Sequence, residues 1–386
     1  MHRLFFLLTP YPSSLTLFGG SNSMSSAADS EFMALALQLA ERGLHTTTPN
    51  PRVGCVMVRD GAVVGEGWHE RAGGPHAEVV ALQAAGSRAR GATAYVTLEP
   101  CHHQGRTPPC DEALIAAGVA RVVAAMHDPD PRTAGQGMVR LRQAGMAVET
   151  GVLENEAQAI NRGFISRVTR GRPWVRMKIA ASLDGRTALM NGKSQWITGE
   201  AARNDGHHWR ARACAVLTGI GTVRDDDPQL TVRAVATSRQ PLRVVIDSRL
   251  ELPLTARILE GGGVLVVCAV ADQAKATRLQ DKGAEILVLP NAAGKVELPA
   301  LMQELGRRGI NELHVEAGHK LNGSLLNEGC IDELLLYFAP CLIGDRARGM
   351  ADLPELADLA GRRKLAISDM RMIGGDIRIM AGWAAT

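Results

Sequence analysis

The sequence predicts two consecutive α/β domains, and three observations carry that reading. At 386 residues the chain is long enough for two cores of ordinary size. Its 46% hydrophobic content, with 41 glycines and only 4% aromatics, suits layered units rich in strand-to-helix turns and argues against disorder. Strand-like and helix-like runs alternate along the chain and are interrupted once, by a polar helical connection over 154–168 that ends in Arg170–Gly171–Arg172–Pro173. The expected division is 1–24 as a disordered tail or upstream start, 25–170 as one domain and 171–386 as the other.

Near the N-terminus, Arg3 and the run Leu4–Phe5–Phe6–Leu7–Leu8 imitate a secretory signal, but Pro10 and Pro12 break the run, which is too short to span a membrane. Met24 then precedes a flexible Ser/Ala stretch; a cleaved targeting peptide is the alternative. Ser30 is the expected N-cap of a helix whose apolar positions Phe32, Leu35, Ala36 and Leu39 recur until Gly43. Residues 53–58 and 63–67 read as a hairpin turning at Arg59–Asp60–Gly61. Helices are expected over 77–85, 111–117 and 138–144, and strands over 94–98, 119–125 and 147–150. In the second domain, strands fall at 175–181, 215–218, 243–246, 264–269, 285–289, 312–316 and 333–338. Helices interleave at 201–213, 298–307 and 324–329.

Charge and cysteine content narrow the partners. With 43 basic and 40 acidic residues the net charge is +3, far from the basic footprint of a nucleic-acid binder, so neither nucleic acid nor a membrane is expected as a partner. Seven cysteines without a dense spacing pattern argue for reduced thiols in a cytoplasmic protein, some of them metal ligands.

The sharpest chemistry lies in the first domain. His76–Ala77–Glu78, Pro100–Cys101 and Pro109–Cys110, each at a strand-to-helix junction, supply one imidazole and two thiolates. Three such ligands with an open fourth position describe a catalytic zinc, whereas a structural zinc is closed by four. Glu78, two residues from a ligand, is placed to move protons, and H-x-E followed by P-C is the pattern of zinc deaminases. His102 and His103 leave a closed four-ligand site open as a rival, and with it a zinc-stabilised binding module. A nucleic-acid base deaminase is the other rival, disfavoured by the balanced charge and few aromatics.

In the second domain Gly219–Ile220–Gly221 has Arg224 where a dinucleotide fingerprint needs its third glycine, so an ordinary Rossmann motif is not supported. Gly318 to Ser324, after a strand and opening a helix, is the better phosphate site, since free backbone N–H groups favour anions there.

Thr48–Pro49–Asn50–Pro51–Arg52–Val53–Gly54, His76–Ala77–Glu78, Thr97–Leu98–Glu99–Pro100–Cys101 and Gly105–Arg106–Thr107–Pro108–Pro109–Cys110 together resemble the bifunctional riboflavin-biosynthesis deaminase/reductase family. The eight residues between Cys101 and Cys110 separate the chain from cytidine and tRNA-adenosine deaminases, which typically space these cysteines two apart. Lys178 to Thr187, Ser194 to Thr198, Asp226 to Arg233 and Val315 to Gly318 resemble the same family's reductase half. His102 is a departure, standing where the family usually has a small residue, and the zinc site is expected to survive it.

The resemblance implies a cytidine-deaminase-like three-layer domain followed by a dihydrofolate-reductase-like α/β domain, with Zn2+ and NADPH as cofactors, a pyrimidine ribosylamino phosphate as substrate, and a homo-oligomer. It implies His76, Cys101 and Cys110 on zinc, with Glu78 catalytic. NADPH contacts fall on Ala180, Trp196, Thr222, Asp226, Ser248, Gly318, His319, Lys320, Leu321, Asn322, Gly323 and Ser324. Ser194, Arg210, Leu230, Arg233 and Glu316 are expected on substrate, the two arginines because a guanidinium fork suits a 5'-phosphate. In the deaminase half, Asn50 suits a pyrimidine edge and Arg106 a phosphate. The sequence does not identify the acid that completes the reduction, and Asp184 is no more than a guess at it.

Overall fold

The computed structural model describes residues 26–102, 108–131, 134–270 and 272–384. The expectation of a disordered tail over 1–24 lies outside them.

The chain begins with α1 (Ala27–Glu41), β1 (Gly54–Arg59), β2 (Ala62–Trp68), α2 (Ala77–Ala85), β3 (Thr93–Val96), α3 (Cys110–Ala116), β4 (Arg121–Ala124), α4 (Gln136–Gln143), β5 (Ala147–Thr150) and α5 (Glu154–Arg170). The strands form one sheet in the order β2-β1-β3-β4-β5, with β1 antiparallel to β2 and β3, and β3, β4 and β5 parallel. Alternate residues of these strands face two cores. Val56, Val58, Tyr95 and Val123 pack against Met33, Ala36 and Leu37 of α1 and Ala157 of α5. Cys55, Met57, Ala94, Val96 and Val122 pack against Ala77 and Ala81 of α2, Leu114 of α3 and Met138 of α4. The result is a three-layer α-β-α unit.

The helix starts a turn before Ser30. Ser26 is the N-cap of α1: its hydroxyl accepts from Asp29 N–H at 3.1 Å and the Asp29 carboxylate accepts from Ser26 N–H at 3.2 Å. Asp29 is fixed further by Arg121 of β4 and the Tyr95 hydroxyl, contacts 92 and 66 residues away that local sequence cannot reveal. Gly54 lets α1 sit on β1 backbone to backbone, since a Cβ there would lie 1.9 Å from the Ala36 carbonyl.

The second half comprises β6 (Trp174–Ser182), β7 (Arg186–Ala188), α6 (Glu200–Arg212), β8 (Ala215–Gly219), α7 (Ile220–Asp226), β9 (Leu242–Ile246), β10 (Val264–Cys268), α8 (Gln273–Gln280), β11 (Ala284–Val288) and α9 (Leu298–Arg307). It continues with β12 (Glu312–Val315), α10 (His319–Asn327), β13 (Glu333–Ala339), β14 (Arg348–Gly349), β15 (Leu365–Ile373) and β16 (Asp376–Trp383). Nine strands form one sheet, β11-β10-β9-β8-β12-β6-β13-β16-β15, in which β16 alone is antiparallel to its neighbours, and β7 pairs with β14 separately. Leu301, Met302 and Leu305 of α9 cover one face, and Ala276 and Leu279 of α8 the other.

Here the structure adds to the sequence reading. The terminal hairpin β15–β16 was not expected, because β15 is exposed along most of its length and β16 buries Asp376 and Arg378 instead of alternating cleanly. Helix α10 begins at His319, five residues before the expected start at Ser324. Gly323 within it accommodates the backbone of another segment, since its Cβ would lie 2.0 Å from the Asp352 carbonyl.

Candidate functional site

Two local constructions define the chemistry of the first half. His76 is the N-cap of α2 and Cys110 the first residue of α3, so both ligands stand at helix N-termini, where free N–H groups favour thiolate charge. Cys101 follows β3 on a segment secured by Glu99, whose buried carboxylate accepts from the backbone N–H groups of Asp128 (3.1 Å), Gly135 (3.0 Å) and Met138 (3.3 Å).

The three side chains converge. Nδ1 of His76 lies 3.2 Å from Cys110 Sγ and 3.4 Å from Cys101 Sγ, and all three ligand atoms fall within 4.8 Å of one another. Tetrahedral zinc with ordinary Zn–S and Zn–N bonds sets neighbouring N and S ligands about 3.6 Å apart, so the donor set and its spacing fit zinc. Contacts with the Cys110 and His76 side chains lower the Cys101 thiol toward the ionised form a metal needs, while the same contact with Cys101, and burial, raise the Cys110 thiol.

Among the described residues, no fourth His, Cys, Asp or Glu joins the group. His102 is engaged elsewhere: its Nδ1 lies 2.6 Å from the buried Asp111 carboxylate. His103 and Arg106 lie outside the described residues. Glu78, in the first turn of α2, is buried beside the ligands. Burial first, then the negative Cys101, lifts its carboxyl to about 7. A buried carboxyl that exchanges protons near neutrality beside a His/Cys/Cys cluster is the arrangement of a general acid–base catalyst.

Asn50 stands close by through His69, which sequence reasoning missed. His69 Nδ1 lies 2.9 Å from the Pro75 carbonyl, an acceptor only, so Nδ1 carries the proton and Nε2 accepts from Asn50 Nδ2 at 3.0 Å. Burial lowers the His69 pKa, which favours this neutral form. The His69 ring meets His76 edge-on, with centroids 5.6 Å apart. Asn50 is thereby oriented beside the metal ligands with its carbonyl oxygen available.

The second half carries a cleft of about 1650 Å³, bordered by β6, α6, α7 and the start of α10. Ala180, Trp196, Thr222, Asp226, Ser248, Gly318, His319, Lys320, Leu321, Asn322 and Ser324 line it; Gly323 does not, being turned to Asp352. Ser194, Arg210, Leu230, Arg233 and Glu316 line it as well. Asp226 accepts from the Ser194 hydroxyl at 2.8 Å. Leu230 sits at φ 53 and Asp227 at φ 40, so this loop is held in a backbone conformation that non-glycine residues rarely adopt. Trp196 is 71% exposed, with the Arg203 guanidinium over its ring, 4.7 Å from the centroid.

The two arginines differ. Arg210 is committed to Glu316 through Nε and the 2.9 Å contact of its second nitrogen, and donates to the Thr231 carbonyl. Arg233 is exposed, and among the described residues its guanidinium bonds the neutral oxygens of Gln229 (3.1 Å) and Thr231 (2.9 Å). Its charge is free for a phosphate. Lys178, not singled out from sequence beyond its motif, lines the cleft with Nζ 3.8 Å from Glu316. Asp184 does not border the cleft; its carboxylate accepts from Ser182 and from the backbone of Ile343 and Gly344, which hold it down to about 2. An ionised group so engaged does not suit a proton donor.

A zinc site of the deaminase kind on one sheet, and a separate cleft on an α/β sheet, define a two-domain deaminase joined to a reductase. Comparison with known proteins places it further. Residues 26–126 match the cytidine and deoxycytidylate deaminase zinc-binding region, and residues 173–378 match the RibD C-terminal domain. The chain is 48% identical to the riboflavin biosynthesis protein RibD of Escherichia coli, covering 90% of this chain and 98% of that one, and 46% identical to that of Haemophilus influenzae, covering 92% and 97%. Its fold superposes on RibD of Acinetobacter baumannii with a TM-score of 0.87 at 45% identity, over 93% of this chain and 99% of that one. The diaminohydroxyphosphoribosylaminopyrimidine deaminase/5-amino-6-(5-phosphoribosylamino)uracil reductase of Thermotoga maritima gives 0.82 at 32% identity, over 92% and 99%. The chain belongs to the RibD family: it is a bifunctional zinc-dependent deaminase and NADPH-dependent reductase of riboflavin biosynthesis.

Proposed function

We propose that the first half deaminates 2,5-diamino-6-(ribosylamino)pyrimidin-4(3H)-one 5'-phosphate and that the second half reduces the product's ribosyl chain to ribityl. The division falls at 170/171, with 25–170 as deaminase and 171–386 as reductase. The observation that carries this reading is the buried Glu78 beside His76, Cys101 and Cys110 on one sheet, joined to a cleft that presents Arg233 on the other.

Zinc, held by His76, Cys101 and Cys110, supplies when bound a Lewis acid that readies water for attack at neutral pH. Glu78 takes one proton from the attacking water and passes it to the ring nitrogen, then moves the second from the added hydroxyl to the amine, so that the C–N bond breaks and ammonia leaves. Asn50 holds the pyrimidine edge, oriented by His69. NADPH supplies the hydride when bound in the cleft. Gly318 to Leu321 present the N-terminus of α10 to its phosphates, Trp196 offers a flat face, and Arg233 holds the substrate phosphate.

Arg233→Ala tests the cleft assignment. Loss of a charge-assisted contact is expected to raise KM for the deaminated substrate by about ten-fold or more. Melting should stay unchanged, because Arg233 is exposed and its guanidinium bonds neutral oxygens. An unaltered KM removes Arg233 from the substrate site.

A homo-oligomer is supported by the sheet edge. On β15, Ile367, Met370 and Met372 are each at least 60% exposed, and the bulge between Ile367 and Asp369 keeps these apolar side chains on one face. Sedimentation that finds only monomer at micromolar concentration removes this reading. A cytoplasmic location is supported by seven free cysteines; recovery of the protein with periplasmic marker enzymes would contradict it. No helix among the described residues is long and apolar enough to cross a membrane.

A further inference from the structure

The loop over 44–52 carries Asn50 to the deaminase site, yet many of its tethers come from the reductase half. Arg239 Nε donates to the His45 carbonyl at 2.9 Å, Thr48 Oγ1 lies 2.8 Å from Cys214 Sγ, and Asn311 Nδ2 donates to the Pro49 carbonyl at 3.0 Å. The strongest tether is ionic. Arg52, 6% exposed, bonds the carboxylate of Glu312 on β12, which is 1% exposed and also meets Arg176 at 3.2 Å and Arg212 at 2.8 Å. Arg52 turns its other nitrogen back to the Leu44 carbonyl at 3.2 Å, so one guanidinium joins both ends of the loop to the other domain.

Burying one carboxylate among three arginines is weak evidence for stability, because desolvation of each ion opposes the attraction it gains. Fixed register is the better-attested use of such groups. Here the geometry shows what is registered. The backbone between the ionic anchor at Arg52 and the bonds to Pro49 and Thr48 contains Asn50, and Asn50 Nδ2 reaches His69 beside the metal ligands. On the far side, Glu312, His314 and Glu316 alternate along one face of the strand, while Leu313 and Val315 enter the apolar core, so the same strand runs from this anchor to the reductase cleft.

We propose that Glu312, in the reductase half, is a positioning residue for the deaminase: through Arg52 it fixes the loop that presents Asn50 to the pyrimidine. The inference rests on the reading of Asn50 as a substrate contact. Arg52→Met is the milder probe, since Glu312 keeps Arg176 and Arg212 as partners.

The test is steady-state ammonia release by full-length, zinc-loaded protein carrying Asn50→Ala, Arg52→Met, both together, Arg52→Lys or Glu312→Gln. Arg52→Met should raise KM by about ten-fold or more, with zinc content and NADPH-dependent reduction unchanged, as expected when a binding group is displaced by a fraction of an ångström. The double variant should be no worse than Asn50→Ala alone, because a misplaced side chain and an absent one lose the same contact. Arg52→Lys should recover part of the loss, and Glu312→Gln should repeat the Arg52→Met effect; if it does not fold, the Arg52 series decides. A wild-type KM in Arg52→Met, or penalties that multiply in the double variant, would overturn the proposal. A wild-type KM in Asn50→Ala would instead remove Asn50 from the substrate site, and the positioning role with it.

Discussion

Glu78→Gln should lower ammonia release by about a thousand-fold, within the range for loss of a positioned acid–base group, while zinc stays bound. Zinc is retained because Glu78 is not one of the three ligands, and glutamine keeps nearly the same volume in a buried site. The same substitution has a second, metal-free signature. The folded carboxyl titrates near 7 against 4.5 in the unfolded chain, so the folded state binds the extra proton between those values. Stability from this group is therefore complete below about pH 4.5 and lost as pH rises through 7, by about 3 kcal/mol in all. Glutamine does not ionise and loses nothing. Chelated Glu78→Gln should gain on chelated wild type between pH 5 and pH 8 in thermal melts; equal pH dependence of the two proteins would show that Glu78 does not carry the strained ionisation.

Cys110→Ser should remove both zinc and ammonia release, yet leave NADPH-dependent reduction of the already deaminated substrate within about two-fold of wild type. The proposed metal set lies at the N-termini of α2 and α3 and on the segment after β3, whereas the residues lining the cleft run from Lys178 to Gly349 on a different sheet. Metal analysis separates this variant from Glu78→Gln, which loses ammonia release with zinc present. Loss of reduction together with zinc would show that the metal supports the whole chain, and would contradict two separable sites.

The His/Cys/Cys cluster proposed to hold zinc was legible in the sequence because its members are local signals. His76, Cys101 and Cys110 each sit where a proline-bearing turn meets a strand or helix, and Glu78 is one residue beyond the helix start. Its supports were not legible. His69 orients Asn50 from 19 positions away, and Arg52 meets Glu312 from 260 positions away, contacts that only the fold creates. The same reason explains why Arg210 and Arg233 looked alike: Glu316 occupies one and not the other. Ser26 displaced Ser30 as the helix cap because Asp29 completes a reciprocal cap and an ion pair with β4. Helix α10 starts five residues before the position read from the sequence, and Gly323 within it admits the Asp352 backbone.

The most direct measurement is NADPH oxidation by the purified zinc-loaded protein given only the undeaminated pyrimidine ribosylamino phosphate, with ammonia followed in parallel. The account predicts that ammonia appears and that NADPH is consumed after it, in equal amount and only when Glu78 is intact. Ammonia without NADPH consumption, or NADPH consumption undiminished in Glu78→Gln, would contradict a reductase that acts on the product of the zinc site.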